Sequence, residues 1–474
     1  MYIEKNSYKF NPIYIFIFFL VMLSSLIILG NRTSYGLMII VLLILLFLIY
    51  SLRISFEVVN KYLLFFTIAS LPFPFFIQYA GKDAITITTL LIFVLFFSSV
   101  LSSLLMKKNL LKGKSEIFLL ILIFISYSAS LVFNKYLFEQ SFKYYLANIS
   151  GIIFFIIILK LVKTKADFIT VFKLIVFLLM IQSVITFIQI KFPEFHKVTG
   201  IFRGRSYIPH LPLSLEGIAR PKGTVGDFEL LAEWFLLGCL LSLALIYIQK
   251  NYIYLITFLS CTAGIIFTKT RSDLMLLIFA LLLIILILRT FKKDYDKLSI
   301  KILFAIIISF TILIIVFPSE IEDFIYRFKR YFTSSSLISV EAFNRKIAWD
   351  SAKIEVMENL NFFGNGFHYI LVPVNDSFEE FHSLYLTLLY KVGFFGFIIH
   401  LLFWATLIFK SGKKLIAHSN SSNWHFIFFL LIAVIIILLD QIKIEYLRWI
   451  HTIQFAWMIF ALLASSLNLE HREK

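Results

Sequence analysis

The sequence predicts an all-α polytopic membrane protein with about 12–14 transmembrane helices and two long extracytoplasmic loops. Three observations carry that expectation. First, 60% of the 474 residues are hydrophobic and only 15% are charged, where soluble chains average about 45–50% and about 25%. Second, mean hydropathy is +0.91. Third, the apolar residues fall in long unbroken runs. A hydrocarbon core of about 30 Å needs a helix of roughly 20 such residues. This composition excludes a soluble enzyme, a disordered chain and a secreted disulfide scaffold.

The runs lie at 13–29, 36–52, 62–79, 85–106, 116–133, 147–160, 168–190, 228–248, 253–268, 272–288, 301–317, 383–409, 426–440 and 449–466. They are too continuous for barrel strands, so helices are the spanning element. Pro72 and Pro74 predict a kink in the third run. The sixth and ninth runs are short. The N-terminus lacks a small-residue cleavage site and runs into further spans, so no cleavable signal is expected there. The halves show no repeat, and residues 1–474 are expected to form a single transmembrane domain.

Lys and Arg set the orientation. With the N-terminus in the cytoplasm, about 22 of them fall in inside segments and about eight in the short outside loops. The net charge of +16 thus has a topological explanation and requires no nucleic-acid partner. Both termini are expected inside. The two long loops, 191–227 and 318–382, are expected outside. Loops beyond about 12–15 residues are usually functional or disordered. Cys239 and Cys261 sit in apolar runs and read as packing residues.

The outer face holds the candidate chemistry. The first long loop carries Arg203, Arg205, Arg220 and Lys222, with Gly223 and Gly226 permitting close backbone approach. Arg offers bidentate contacts to phosphate oxygens, so this loop fits either a diphosphate cradle or a basic loop resting on anionic lipid. The turn Thr268–Asp273 pins Arg271 at a membrane edge. Such an Arg is either functional or a snorkelling interface marker. In the second long loop, Phe343, Ile347, Ile354 and Met357 recur at helical spacing, predicting an amphipathic helix along the outer interface. Arg345 and Trp349 share a face of it, and Gly364-Asn365-Gly366 ends it. His382 closes the loop at the start of the twelfth run. It fits a general base, since it titrates near neutrality, and it equally fits an interfacial cap. Glu379 and Glu380 stand beside it. No metal-ligand spacing or Walker sequence appears.

Taken together and in order, four segments resemble the O-antigen ligase and polymerase superfamily of bacterial membrane glycosyltransferases. They are RPKGTVGDFELLAEW at 220–234, Thr268-x-x-Arg271, Arg345 and Trp349 followed by Phe363-Gly364-Asn365-Gly366, and His382 followed by Tyr385-Leu386 and Gly393-x-x-Gly396. The resemblance covers about 220–400. Glu229 stands where the family often has Asn, Ser383 where Asn often follows the His, and Lys391 where an acid is common.

The resemblance implies a glycosyltransferase that takes an undecaprenyl-diphosphate-linked oligosaccharide as donor at the plasma (inner) membrane of a bacterium. Arg271, Arg345 and Arg220 would hold the diphosphate and His382 would act as base. No cofactor and no metal are implied. The partners implied are the lipid bilayer and other polysaccharide-assembly membrane proteins. A polymerase joining repeat units is the first expectation and a ligase acting on lipid A-core the alternative. The rival class is a lipid-linked glycan flippase, which would favour similar halves and charges near the bilayer midplane.

The topology has a direct test. Cysteines introduced at Ser214 and Ser377 should react with a membrane-impermeant maleimide added outside intact spheroplasts. Labelling only after permeabilisation would place both loops in the cytoplasm and undo the orientation.

Overall fold

The protein, seen in a computed structural model, is described over residues 56–74, 76–79, 82–105, 115–133, 138–200, 220–291, 338–367, 372–374, 377–379, 381–418, 421 and 423–469, with scattered helical positions between 311 and 325. The expected spans at 13–29 and 36–52 lie outside the described residues, as does most of 301–317.

The helices are α1 (Phe56–Ser70), α2 (Ile87–Leu105), α3 (Ser115–Val132), α4 (Phe138–Leu161), α5 (Lys165–Lys191), the short α6 (Phe195–Gly200), α7 (Phe228–Gln249), α8 (Tyr254–Phe267), α9 (Arg271–Phe291), α10 (Ile338–Glu358), α11 (Leu384–Ala417), α12 (Trp424–Asp440) and α13 (Ile450–Ser466). Seven of the described helices, α2–α5, α7, α9 and α11, are long and apolar enough to cross a membrane, and α8, α12 and α13 are shorter apolar helices. Two small antiparallel hairpins, β1 (Phe76–Tyr79) with β2 (Lys82–Thr86) and β3 (Val372–Val374) with β4 (Ser377–Glu379), decorate the helical bundle.

Local chemistry moves two helix ends away from the hydropathy runs. The run at 62–79 stops being helical at Ser70. Pro72 and Pro74 supply no N–H and disfavour helical backbone before them, so the chain turns and enters β1 instead of kinking. The run at 147–160 is no short helix: α4 begins at Phe138 and has 24 residues. Its first turns carry Glu139, Gln140, Ser141 and Lys143, polar residues that hydropathy discounts, although Glu, Gln and Lys are good helix formers.

The helices run alternately between two ends of the bundle. At one end Lys61 meets Asp167 at 2.8 Å, Lys410 meets Glu116 at 2.8 Å, and Lys414 Nζ donates to the Leu467 carbonyl at 2.7 Å. Asp167 also closes a capping box with Thr164 at the start of α5. At the other end Thr224 bonds the Pro72 carbonyl, His451 Nε2 lies 2.8 Å from the Val225 carbonyl, and the Leu384 N–H donates to the Gln441 carbonyl at 3.0 Å. Every segment that carries a candidate motif converges on this second end.

The core centres on α7, which is buried on almost all faces, and on α12 and α13 packed against it and α4. The periphery is apolar in the pattern lipid requires. On α9, Met275, Ile278, Phe279, Leu282 and Leu286 are exposed while Asp273, Leu277, Ala280, Ile284 and Leu288 are buried, so one stripe faces the bundle and the other the hydrocarbon.

Close helix contacts are made at glycines, as expected where dispersion rather than hydrophobicity drives association. A Cβ on Gly264 of α8 would sit 2.6 Å from Phe235 of α7. Gly264→Leu is therefore expected to destabilise the α7–α8 pair by about 1–3 kcal/mol, read as a lowered thermal midpoint in detergent. An unchanged midpoint would contradict this packing.

Candidate functional site

Four backbone devices assemble the motif end. The first holds Arg220. Gln189 of α5 accepts the Lys222 and Gly223 N–H groups with Oε1, at 3.1 and 2.9 Å, and donates to the Gly223 carbonyl at 2.9 Å. Gln182, two turns earlier, accepts the Thr224 N–H at 3.1 Å. Gly223 has φ 55 and Gly226 φ 104, conformations glycine adopts at little cost. Asp227 then caps α7 by accepting from Glu229 N and Leu230 N. The Arg220 guanidinium lies 4.8 Å from the centre of the Phe228 ring. Arg203 and Arg205 lie outside the described residues.

The second device is the Thr268–Arg271 turn. Thr268 Oγ1 donates back to the Ile265 carbonyl at 2.7 Å and pairs with the Thr270 hydroxyl. Lys269 takes φ 57, and α9 starts at Arg271, half-buried, with Asp273 completely buried within the first turn. An acid in the first turn complements the positive end of the helix dipole.

The third joins α10 to His382. Ala348, Ala352 and Val356 pack on Phe381 and Tyr390. Trp349 Nε1 donates to the His382 carbonyl at 3.2 Å, and Tyr390 Oη reaches Glu355 at 3.3 Å. The helix expected here is therefore present, and of the apolar residues expected on one face Ile347 packs beside Ala348, Ala352 and Val356 on its docking face. Ile354 and Met357 remain exposed. Arg345 stands one turn before Trp349 on α10, and its side chain lies outside the described set, as do those of Glu379 and Glu380. His382 has φ 48 and precedes an extended Ser383, the residue before α11.

The fourth is a splice between the Gly364-Asn365-Gly366 turn and α11. Gly393 sits inside α11 at φ 70, ψ −175, a region essentially confined to glycine. The break frees two N–H and two C=O groups, and the turn supplies partners for all four. Phe394 N donates to Asn361 O at 3.2 Å and Phe395 N to Phe362 O at 3.1 Å. Asn365 N donates to Tyr390 O at 3.0 Å and Gly366 N to Lys391 O at 3.2 Å. The two glycine motifs, separate in sequence, are thus one contact.

Between these devices lies a buried ionic cluster. Lys443 Nζ is 2.7 Å from Asp273 Oδ2, 2.9 Å from Asp440 Oδ1 and bonded to Ser272. Gln441 Nε2 donates to Glu233 of α7 at 3.0 Å, and Thr387 of α11 donates to Glu445. Burial pushes the Lys443 ammonium down in pKa, but the Asp273, Asp440 and Glu229 carboxylates outweigh it and hold it above the usual lysine range. Among the described residues no group of three or more His, Cys, Asp or Glu side chains is arranged to hold a metal.

The structure thus connects Arg271 and His382 through the 440–446 segment, ties α10 to His382 through Trp349, and reaches Arg220 less directly, through α7. Asp440, Gln441, Lys443 and Glu445 are absent from the set that the sequence suggests. An available signal was ionisable residues inside or bounding apolar runs, Glu233 and Asp440 among them, which are costly in a membrane and seldom idle.

Residues 255–401 match the family model described as O-antigen ligase. The match supports the O-antigen ligase/polymerase superfamily and a membrane enzyme of O-antigen or polysaccharide assembly. It spans α8, α9, α10 and the first half of α11, and so contains Arg271, Arg345, the Gly364–Gly393 splice and His382. Arg220 and the 440–446 segment fall outside it. No curated protein matches the chain.

Replacing Gly393 with Ala would force a side chain into the left-handed half of backbone space and within 2.6 Å of the Phe362 carbonyl. We expect Gly393→Ala to lower stability by about 1–3 kcal/mol and to increase amide exchange in 361–366 and 390–395 together. Exchange rising in only one of the two segments would contradict the splice.

Proposed function

We propose that the protein is a surface polysaccharide polymerase that joins undecaprenyl-diphosphate-linked oligosaccharide repeat units on the outer face of the bacterial plasma membrane. The observation that carries this reading is the convergence of Arg271, the α10 segment bearing Arg345, and His382 on one bundle end, all inside the O-antigen ligase match. The Lys/Arg bias supports the outer location of that end.

In this reading Arg271 and Arg345, with Arg220 at the neighbouring α7 entry, hold the diphosphate of the donor. His382 accepts the proton of an acceptor hydroxyl as its oxygen attacks the anomeric carbon. The bond from that carbon to the diphosphate oxygen breaks, and the lipid diphosphate leaves with the electron pair. Arginines offset the charge that develops there, so the chemistry needs neither a strong acid nor a metal. The exposed apolar flank of α9 suits the lipid tail.

A ligase is the second reading, favoured by the description of the matching family. It uses the same donor chemistry with lipid A-core or another surface molecule as acceptor. A polymerase gives a ladder of chain lengths in a strain lacking that acceptor, whereas a ligase gives none.

Arg271→Ala and Arg345→Ala should each abolish the ladder without loss of membrane protein. Arg271→Lys should also be poor, because an ammonium lacks the bidentate fork. His382→Ala should slow transfer by about 10²–10⁴-fold while donor binding persists. His382→Gln should be as slow. A Gln variant near wild-type rate would remove His382 from the role of base.

A further inference from the structure

Asp273, Asp440 and Lys443 take no part in the chemistry above, yet their geometry links its two halves. Asp273 and Asp440 have no exposed side-chain surface, and Lys443 retains 14%. Lys443 ends a tight turn in which its N–H donates to the Asp440 carbonyl at 3.0 Å. Its ammonium folds back to reach Asp440, and reaches across to Ser272 and Asp273 in the first turn of α9. That turn begins with Arg271.

The same segment holds the head of α11. The Leu384 N–H, which the helix itself cannot satisfy, donates to the Gln441 carbonyl at 3.0 Å. Three residues on, Thr387 donates to Glu445. Gln441 Oε1 accepts the Tyr446 N–H at 2.5 Å, which closes the loop between these two anchors. Leu384 follows His382 by two residues, and the His382 carbonyl is fixed from its other side by Trp349.

A continuous path therefore runs from Arg271 through Asp273, Lys443, Asp440 and Gln441 to Leu384 and His382. The ammonium donates to the Ser272 hydroxyl and the Asp273 carboxylate and stands within ion-pair distance of Asp440. We propose that Lys443 is a positioning residue, which with Asp440 and Asp273 fixes Arg271 relative to His382, and so the donor diphosphate relative to the base. This rests on the polymerase or ligase reading for its catalytic consequence. The bridge itself rests on the contacts alone. Losing it leaves the donor-binding groups present but misplaced against the base, which lowers turnover more than binding.

The test uses the full chain in lipid nanodiscs with Asp440→Ala and Lys443→Met. Asp440→Ala leaves Lys443 and Asp273 as a balanced pair, so it keeps the fold in reach even where Lys443→Met does not. Three quantities are read: transfer rate at saturating undecaprenyl-diphosphate-linked oligosaccharide, binding of undecaprenyl diphosphate, and amide exchange over 383–387. Asp440→Ala should cut the transfer rate by about 10–100-fold, as misplacement of reacting groups does. Diphosphate binding should stay near wild type, and exchange over 383–387 should rise severalfold. Unchanged exchange with an unchanged rate would overturn the bridge. So would rate and binding falling together in step with the loss of folded protein, which marks a merely structural pair. Wild-type protein that neither transfers nor binds would overturn the proposed function, and exchange over 383–387 would then decide the bridge by itself.

Discussion

The arrangement of the motif end depends on one constraint: a charge removed from water at a membrane edge must find its partners inside the protein. Lys443 meets that constraint with Asp273 and Asp440, both fully buried. Breaking such a pair by removing one member typically costs about 3–5 kcal/mol. Two helices that do not adjoin in sequence, α9 and α12, are thereby locked together at the motif end of the bundle. The head of α11 is locked to the same segment by Leu384 and Thr387. The start of α9, which bears Arg271, and the start of α11, which follows His382, are thus tied to one segment.

The same constraint acts on the backbone of α11. A helix broken inside an apolar bundle leaves N–H and C=O groups that hydrocarbon cannot satisfy. The Asn361–Gly366 turn satisfies them, and only glycines at 364 and 393 allow the two main chains to come so close. The splice fixes the end of α10 to α11, while Trp349 and the Ala348–Ala352–Val356 face fix its middle. Rigidity at the α10–α11 junction thus arises from main-chain hydrogen bonds and small residues, and rigidity at the α9–α12 junction from a buried ion pair.

Much of this was legible in the sequence, for identifiable reasons. Span positions follow from hydropathy, because a bilayer imposes length and apolarity together. Arg271, Gly364, Gly393 and His382 stood out because each is a residue type with a restricted use at a membrane edge. Three things were not legible. The end of α1 at Ser70 depends on prolines overriding an apolar run that continues to Tyr79. The docking face of α10 places Ala348 and Ala352 beside Ile347 and Val356, and hydropathy ranks those alanines below the exposed Ile354 and Met357. The role of Lys443 lay hidden because a lysine in a short loop reads as a solvated charge, and its partners, Asp273 and Asp440, are 170 and three positions away.

The central claim of the proposed function is that this end of the bundle is where lipid-linked repeat units are joined. The most direct measurement supplies purified protein in nanodiscs with undecaprenyl-diphosphate-linked oligosaccharide alone and resolves the products by length on a gel. The account predicts a ladder with steps of one repeat unit and release of undecaprenyl diphosphate in equal number to the bonds formed. Donor recovered unchanged, by a preparation whose folded state is verified by its thermal midpoint, would contradict it.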